Sequence, residues 1–324
     1  MMRRRLGVRL HARLHLRQRG LTIIELMVGV SLGALVSLLA VTLLVKSNAG
    51  FVAQAEAAAV DDAGRFALAA LERAARQSAF IDWEREDMAA GSDPAAAPRV
   101  RGLDAASLSG TTEGIESARP AAVNGSDVLA LRFAGSGPGQ GDGSATTCAA
   151  FSVGAGEEGW SIFYVGLSAA GDAELRCKYR SAGNWKAEAV IGGIDSFQVL
   201  YGLDTDTKLD GMANQYVSAT DINNFDAQLD LEGETETDRQ RDALRKTWWK
   251  KVASIKVALV VHGAKQSRDF AGKHVFDLFG ASYSAAAGAR DTGARLDKEA
   301  MSPAMRHRER RTFAATILLR NTVR

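Results

Sequence analysis

The feature that most constrains this chain is an apolar segment close to its N-terminus. Residues 21–45 contain no proline and only one charged side chain, that of Glu25. As an α-helix the segment would be about 37 Å long, since each residue adds about 1.5 Å, whereas the hydrocarbon core of a bilayer is about 30 Å thick. The segment is therefore predicted to be a membrane-spanning helix.

Charge is distributed unevenly on the two sides of this segment. Residues 1–20 contain seven arginines and no acidic residue, whereas the rest of the chain has 33 basic and 38 acidic side chains, a net charge of −5. Because positive flanks stay in the cytoplasm, we expect the part after the segment to be exported. Its acidic balance predicts no direct binding to nucleic acid, which favours a basic surface.

Two simpler readings of the segment stay open. A cleavable secretory signal has an apolar core of about 7–15 residues, which is shorter than residues 21–45. A plain signal anchor has the right length but leaves Glu25 unexplained, because a carboxylate in an apolar membrane helix costs about 3 kcal/mol and is usually kept for a partner or a task.

The residues around Glu25 form a motif: residues 18–28 read QRGLTIIELMV. This string resembles the signal of type IV pilins and pseudopilins, which a prepilin peptidase cleaves after the glycine. The resemblance implies removal of the leader 1–20 by cleavage between Gly20 and Leu21, and N-methylation of Leu21. It also implies a single-pass protein of the bacterial inner membrane, with its head in the periplasm, that later enters a pilus filament or its tip.

The electrostatics of Glu25 agree with this resemblance. Cleavage creates an α-amino group on Leu21, four residues from the carboxylate, and a pair of opposite charges is far less costly in an apolar setting than either charge alone. In a stack of parallel helices, the Glu25 carboxylate could neutralise the terminal amine of a neighbouring subunit. Glu25 is thus predicted to be an assembly residue. Major pilins tend to have proline at the position of Thr42, so the resemblance favours a minor subunit.

The helix is predicted to continue beyond the membrane through residues 46–80, which are rich in Ala, Leu, Glu, Gln and Arg and contain no proline. Helical spacing suggests that the following residues lie against a globular head: Phe51, Ala55, Ala59, Phe66, Ala70 and Ala74.

Residues 81–324 are predicted to form the exported head. Residues 81–127 read as an irregular connection, and eight short β-branched or alternating runs follow it. The runs are 128–133, 147–153, 160–165, 174–179, 194–201, 252–262, 274–279 and 312–319. The predicted fold class is α+β, with a long N-terminal helix packed on a mostly antiparallel sheet.

Several strings in the helix and head resemble one group of pilins. Residues 64–80, 190–204, 248–261 and 311–321 are similar to PilW-type minor pilins of the type IV pilus. The resemblance implies a structural subunit that joins other minor pilins and pilus assembly components in a complex that primes filament assembly. A minor pseudopilin of a type II secretion system is the first alternative, and a membrane-anchored envelope protein that binds calcium or another ligand is the second.

Cys148 and Cys177, the only two cysteines, fall in predicted strands of the exported head. In an oxidising compartment a disulfide between them is favoured, and closing a loop of about 30 residues would stabilise the head by roughly 3.6 kcal/mol. Two buried free thiols are the alternative.

The run 204–211, DTDTKLDG, spaces its acids somewhat like a calcium loop. Asp204, Asp206 and Asp210 could supply the oxygen ligands that calcium requires. Position 12 of the loop, counted from Asp204 as position 1, is Gln215 rather than the usual Glu, so a solvated acidic turn is the alternative. No other cofactor is predicted.

No catalytic motif surrounds the three histidines of the exported part, His262, His274 and His307. The Gly-rich run 135–143 lacks the spacing of a phosphate-binding loop. The chain is therefore predicted not to be an enzyme.

Overall fold

The computed structural model describes residues 20–78, 95–207, 210–266 and 275–319. Outside them lie residues 1–19 of the predicted leader, the predicted helix end at 79–80, His274, and residues 320–321 of the string 311–321. The chain divides into two compact units between Ala53 and Gln54, and each is described by itself.

Helix α1 is a single element of 55 residues, Ile23–Gln77. Its first part, up to Ala53, belongs to the first unit and includes the apolar segment. Its second part, from Gln54, belongs to the head. The helix ends in a turn at Ser78, where the backbone N–H of Ser78 still donates to the carbonyl of Ala74 at 3.0 Å.

The first sheet of the head is an antiparallel meander of five strands in the order β1-β2-β3-β4-β5. The strands are β1 Val100–Leu103, β2 Val128–Ala134, β3 Glu158–Leu167, β4 Ala173–Ser181 and β5 Asn184–Gly192.

The second sheet has four antiparallel strands in the order β11-β8-β6-β7. These are β6 Ile194–Leu203, β7 Gln215–Val217, β8 Val252–Gln266 and β11 Arg308–Leu318. Every residue of β6 is buried, including the polar Asp195, Ser196 and Gln198, which agrees with its place between β8 and β7.

Short elements complete the head. A two-stranded ribbon joins β9 Val275–Asp277 to β10 Arg295–Asp297. The remaining helices are α2 Ala219–Asp226, α3 Glu236–Lys246, α4 Ala281–Ala287 and α5 Pro303–Arg306. Helices α2 and α3 each begin with a capping box, on Ser218 and Thr235, which satisfies free N–H groups of the first turn.

One large apolar core holds the head together. It joins the inner face of α1 to one face of each sheet, with Leu71 of α1, Phe163 of β3 and Val257 of β8 all fully buried. Two smaller clusters lie on the outer faces, one around Ile162 on the first sheet and one around Val260 on the second. The α+β prediction, with a long helix packed on antiparallel strands, is confirmed.

The strand prediction was wrong in several places. Residues 147–153 form a turn instead of a strand, with a single bridge between Thr146 and Ser152. Ala150 there has φ 63°, a left-handed conformation that interrupts an extended run. The connection 81–127 was predicted to be irregular, yet it contains β1.

Candidate assembly site

The first turn of α1 carries a capping box that the sequence analysis missed. Thr22 precedes the first helical residue, and Glu25 stands three positions later. Both the backbone N–H and the hydroxyl of Thr22 donate to Glu25 Oε2, each at 2.9 Å, and the N–H of Glu25 donates to Thr22 Oγ1 at 3.2 Å. The spacing Thr-x-x-Glu was the available signal. Glu25 therefore has a local structural partner within its own chain.

The two bonds from Thr22 end on the same oxygen of Glu25. Within the part of the chain that the structure describes, no bond to Oε1 is found. The carboxylate thus caps the helix with one oxygen and presents the other. Gly20 and Leu21 lie immediately before this turn and are exposed, so the predicted cleavage bond is accessible.

The apolar segment exposes its side chains over its whole length. Leu21 is 78% exposed and Val45 is 62% exposed, and the large apolar side chains between them are all more than half exposed. Among the described residues, a single helix, α1, is both long enough and apolar enough to cross a membrane. An apolar surface of this extent requires a lipid or protein environment.

The second part of α1 packs on the head through a face that differs from the predicted one. The buried residues are Val60, Gly64, Ala67, Leu71, Ala74 and Ala75. Of the expected set, Ala74 is buried, but Ala55 and Ala59 are exposed and Phe66 is 55% exposed. The predicted set lies mostly on a different face of the helix. The observed face combines Val60 and Leu71 with small residues that let the helix approach the sheet closely.

Gly64 is the point of closest approach. A Cβ atom at this position would overlap the ring of Phe313 on β11, well inside van der Waals distance. A glycine in the middle of a helix costs about 1 kcal/mol relative to alanine, so its presence was a signal of such a contact.

Polar contacts fasten the same helix to the head. Arg311 Nη1 of β11 donates to Asp61 Oδ2 at 2.6 Å, and the backbone N–H of Lys265 donates to Glu56 Oε2 at 3.1 Å. Arg311 and Asp61 are both partly exposed, so the ion pair contributes at most about 1 kcal/mol. The contacts mainly fix the position of the helix along β8 and β11.

A buried charge cluster lies at the end of β6, where neighbouring strands meet. Asp195 Oδ1 lies 3.0 Å from His262 Nδ1, and Arg310 Nε donates to Asp195 Oδ2 at 2.7 Å. Burial raises the pKa of Asp195, but His262 and Arg310 outweigh it and hold this pKa below its ordinary value.

The second nitrogen of His262, Nε2, lies 2.9 Å from Nη1 of Arg308. Arginine can only donate, so Nε2 accepts and the ring proton lies on Nδ1, facing Asp195. Nε2 of His262 is thus occupied by the Arg308 guanidinium, whereas in a catalytic dyad this nitrogen would contact the hydroxyl or thiol of a nucleophile. The cluster serves to connect strands β6, β8 and β11.

The two cysteines form the favoured disulfide. Cys148 and Cys177 are bonded with a Cα–Cα distance of 5.8 Å. Cys177 lies in β4 as predicted, but Cys148 lies in the turn that replaces the predicted strand. The disulfide therefore ties that turn to the first sheet.

The three aspartates of the acidic loop lie close together. One carboxylate oxygen from each of Asp204, Asp206 and Asp210 lies within 4.8 Å of the others. Asp204 is buried and accepts from the backbone N–H of Gly211 at 2.7 Å, whereas Asp206 and Asp210 are exposed. A backbone N–H group of the loop thus already fixes the position of one of the three carboxylates, that of Asp204.

Comparisons with known proteins find matches both to the N-terminal segment and to the head. Residues 15–41 match the prokaryotic N-terminal methylation motif, and residues 162–321, about half of the chain, match type IV pilus-assembly protein W. A solved type IV-like pilin from Thermus thermophilus is similar at 16% identity and TM-score 0.28, over 61% of this chain and 80% of that one. No curated protein sequence matches the chain.

A methylation motif that leads into an apolar helix, followed by an α+β head that matches protein W, defines the class of type IV pilins. The chain belongs to the PilW-type minor pilins of that class. Such proteins are structural subunits, and the motif implies processing by a prepilin peptidase. The matched range 162–321 contains three of the strings that carried the resemblance, at 190–204, 248–261 and 311–321.

Proposed function

We propose that this protein joins a complex of minor pilins that primes type IV pilus assembly and stays at or near the filament tip. Its apolar segment packs among parallel helices of neighbouring subunits, and its head faces the periplasm before assembly. The observation that carries the proposal is the methylation motif joined to an exposed apolar helix whose one acid, Glu25, has an oxygen left for a partner.

In this proposal Glu25 has two tasks. Oε2 caps the helix through Thr22, and Oε1 receives the terminal amine of Leu21 from a neighbouring subunit. Pairing the two charges removes most of the cost of holding either in an apolar setting, and it fixes the axial register of the stack.

The first test is the N-terminus of the protein extracted from membranes. Mass spectrometry should find a chain that begins at Leu21 and carries one added methyl group, whereas a chain that begins at Met1 or Met2 would contradict the proposal.

The second test is the variant Glu25→Gln, with Glu234→Gln as its control because Glu234 is exposed in the head. Loss of the protein from sheared pili with the first variant alone is expected. Equal incorporation of both variants would remove the proposed role of Glu25.

The match to a pilus-assembly protein favours the pilus over a type II secretion system. Genes for pilus components beside this one would support that choice, and genes for a secretion apparatus would reverse it.

We also propose that the acidic loop binds calcium, because three carboxylate oxygens converge within 4.8 Å. Calcium should raise the unfolding temperature of the protein, magnesium should raise it less, and Asp210→Asn should abolish the effect. The control Asp230→Asn changes an exposed acid in another loop and should preserve it. No response to calcium in the parent protein would leave the loop as a solvated turn.

A further inference from the structure

Among the described residues, β11 is an edge strand that pairs on one side only, with β8. The backbone N–H of Leu319, just beyond β11, donates to the carbonyl of Ala253 in β8 at 2.9 Å. Since residues alternate along an antiparallel pair, the N–H and C=O groups that point away from β8 belong to Thr312, Ala314, Thr316 and Leu318. Among the described residues, none bonds to these groups.

The side chains of the same four residues are also exposed, and Leu318 is 59% exposed. On the opposite face, Phe313, Ala315 and Ile317 pack towards the large core. Residues 312–318 contain no charge, no proline and no glycine. Within the part of the chain that the structure describes, an uncharged edge about 20 Å long is thus open to another strand.

The other edges of the two larger sheets lack this property. Strand β1 has four residues and β7 has three, and β5 carries Lys186 and Glu188 as exposed charges. Short strands and charges are the usual means by which proteins prevent edge-to-edge association. Strand β11 begins with the charged residues 308–311, but its stretch 312–318 is neither short nor charged, which indicates that this part of the edge is kept open for a partner.

The chemistry of the edge defines that partner. A row of unpaired N–H and C=O groups is satisfied by the main chain of an extended segment, and the neutral side chains favour an uncharged one. Strand β11 lies directly against α1 of the head, through Phe313 on Gly64 and Arg311 on Asp61. A neighbouring subunit that contacts the head part of α1 would lie beside this edge.

A second copy of this chain fits the edge less well. Two β11 strands paired antiparallel are related by a two-fold axis normal to the sheet, which reverses the direction of the helix that lies on it. Subunits in one filament have helices that run in the same direction. Pairing of β11 with another edge of a second copy would meet the short or charged strands.

We infer that β11 binds an extended, uncharged strand of a different pilin-type subunit, which adds a fifth strand to the sheet β11-β8-β6-β7. The inference rests on the proposed function, because it takes its partner from the same assembly. The partner strand would contribute main-chain hydrogen bonds along residues 312–318.

The test is site-specific photo-crosslinking of the full chain in cells that make their natural pilus subunits. A photoreactive phenylalanine analogue replaces Ala314 on the edge or, separately, Phe66 on the exposed face of α1. Peptide mapping of the Ala314 adduct should identify an extended segment of another subunit that has the N-terminal methylation motif. Adding Thr316→Lys should reduce this adduct at least about tenfold, equivalent to about 1.4 kcal/mol. The matched control Thr237→Lys, on exposed α3, should not reduce it.

The Phe66 position separates the inference from the proposed function. Adducts at Phe66 but none at Ala314 would overturn the inference and leave the proposed function standing. Adducts at Ala314 that join two copies of this chain, or that persist with Thr316→Lys in a normally folded head, would also overturn it. Absence of adducts at both positions would overturn the inference and the proposed function together.

Discussion

The substitution Gly64→Ala provides a sharp test of how α1 is held on the head, because two effects of opposite sign compete. Alanine should stabilise a helix interior by about 1 kcal/mol relative to glycine. Its Cβ, however, would overlap the ring of Phe313, and overpacking of this kind costs up to about 3 kcal/mol. We expect the overlap to dominate, with a net loss of about 2 kcal/mol in the free energy of unfolding.

Removing the ring should reverse the sign. In a Phe313→Ala background nothing opposes the new methyl group, so Gly64→Ala should gain about 1 kcal/mol. The interaction energy of the double-mutant cycle is then about 3 kcal/mol, far above the error of additivity between distant sites. Gly50→Ala is the matched control, since Gly50 lies in the same helix with no neighbouring atom within 4 Å of the added Cβ.

The assay is urea unfolding of the full chain in detergent, followed by tryptophan fluorescence, because every tryptophan lies after residue 80 and so reports on the head. If Gly64→Ala stabilises the parent head by about 1 kcal/mol, as in an isolated helix, the close approach of Gly64 and Phe313 is refuted.

Three further predictions concern other parts of the chain. The double variant Cys148→Ser, Cys177→Ser should have a free energy of unfolding about 3 kcal/mol lower than that of the parent protein in urea titrations. Reductant should lower the free energy of unfolding of the parent but not that of the variant. Burial, together with the charges of Asp104 and Asp221, raises the pKa of Asp291 to about 6 despite the hydrogen bond from Tyr283. The folded head therefore binds this proton more tightly than the unfolded chain does, and stability should fall as pH rises from about 4 to about 6. The free energy of unfolding of Asp291→Asn should be about 2 kcal/mol higher than that of the parent at pH 7.5 and equal to it near pH 4. A difference that does not change with pH would contradict this prediction. Thr22→Ala should lower incorporation into pili less than Glu25→Gln does, as measured on sheared filaments, because it removes only the cap.

The sequence predicted the strands that are buried and regular. Strands β3, β6 and β8 have apolar or alternating runs, and they were found close to their observed bounds. Strand β5 was missed because both its faces are largely exposed at a sheet edge, so no apolar periodicity marks it. The run 147–153 has the composition of a strand, but the chain reverses there and the disulfide ties the turn to β4.

The site was predictable to the extent that it is local in sequence. Gly20, Leu21 and Glu25 follow from a contiguous motif, and the Thr22 cap follows from a four-residue spacing. The contacts of α1 with the head could not be predicted in the same way, because Asp61 and Arg311 are 250 residues apart. The position of Gly64 beneath Phe313 likewise depends on how β11 and β8 pair.

The two roles of Glu25 are compatible only because a carboxylate has two oxygens. A capping box alone would explain why an acid stands at this position in any helix that begins with threonine, without a neighbouring subunit. The cap, however, uses Oε2 alone, and no residue that the structure describes donates to Oε1. A glutamine at 25 can still accept the bonds of Thr22 through its amide oxygen but cannot neutralise an amine. Glu25→Gln therefore removes the charge and leaves the cap, so a loss of incorporation in that variant would come from the missing pair between subunits.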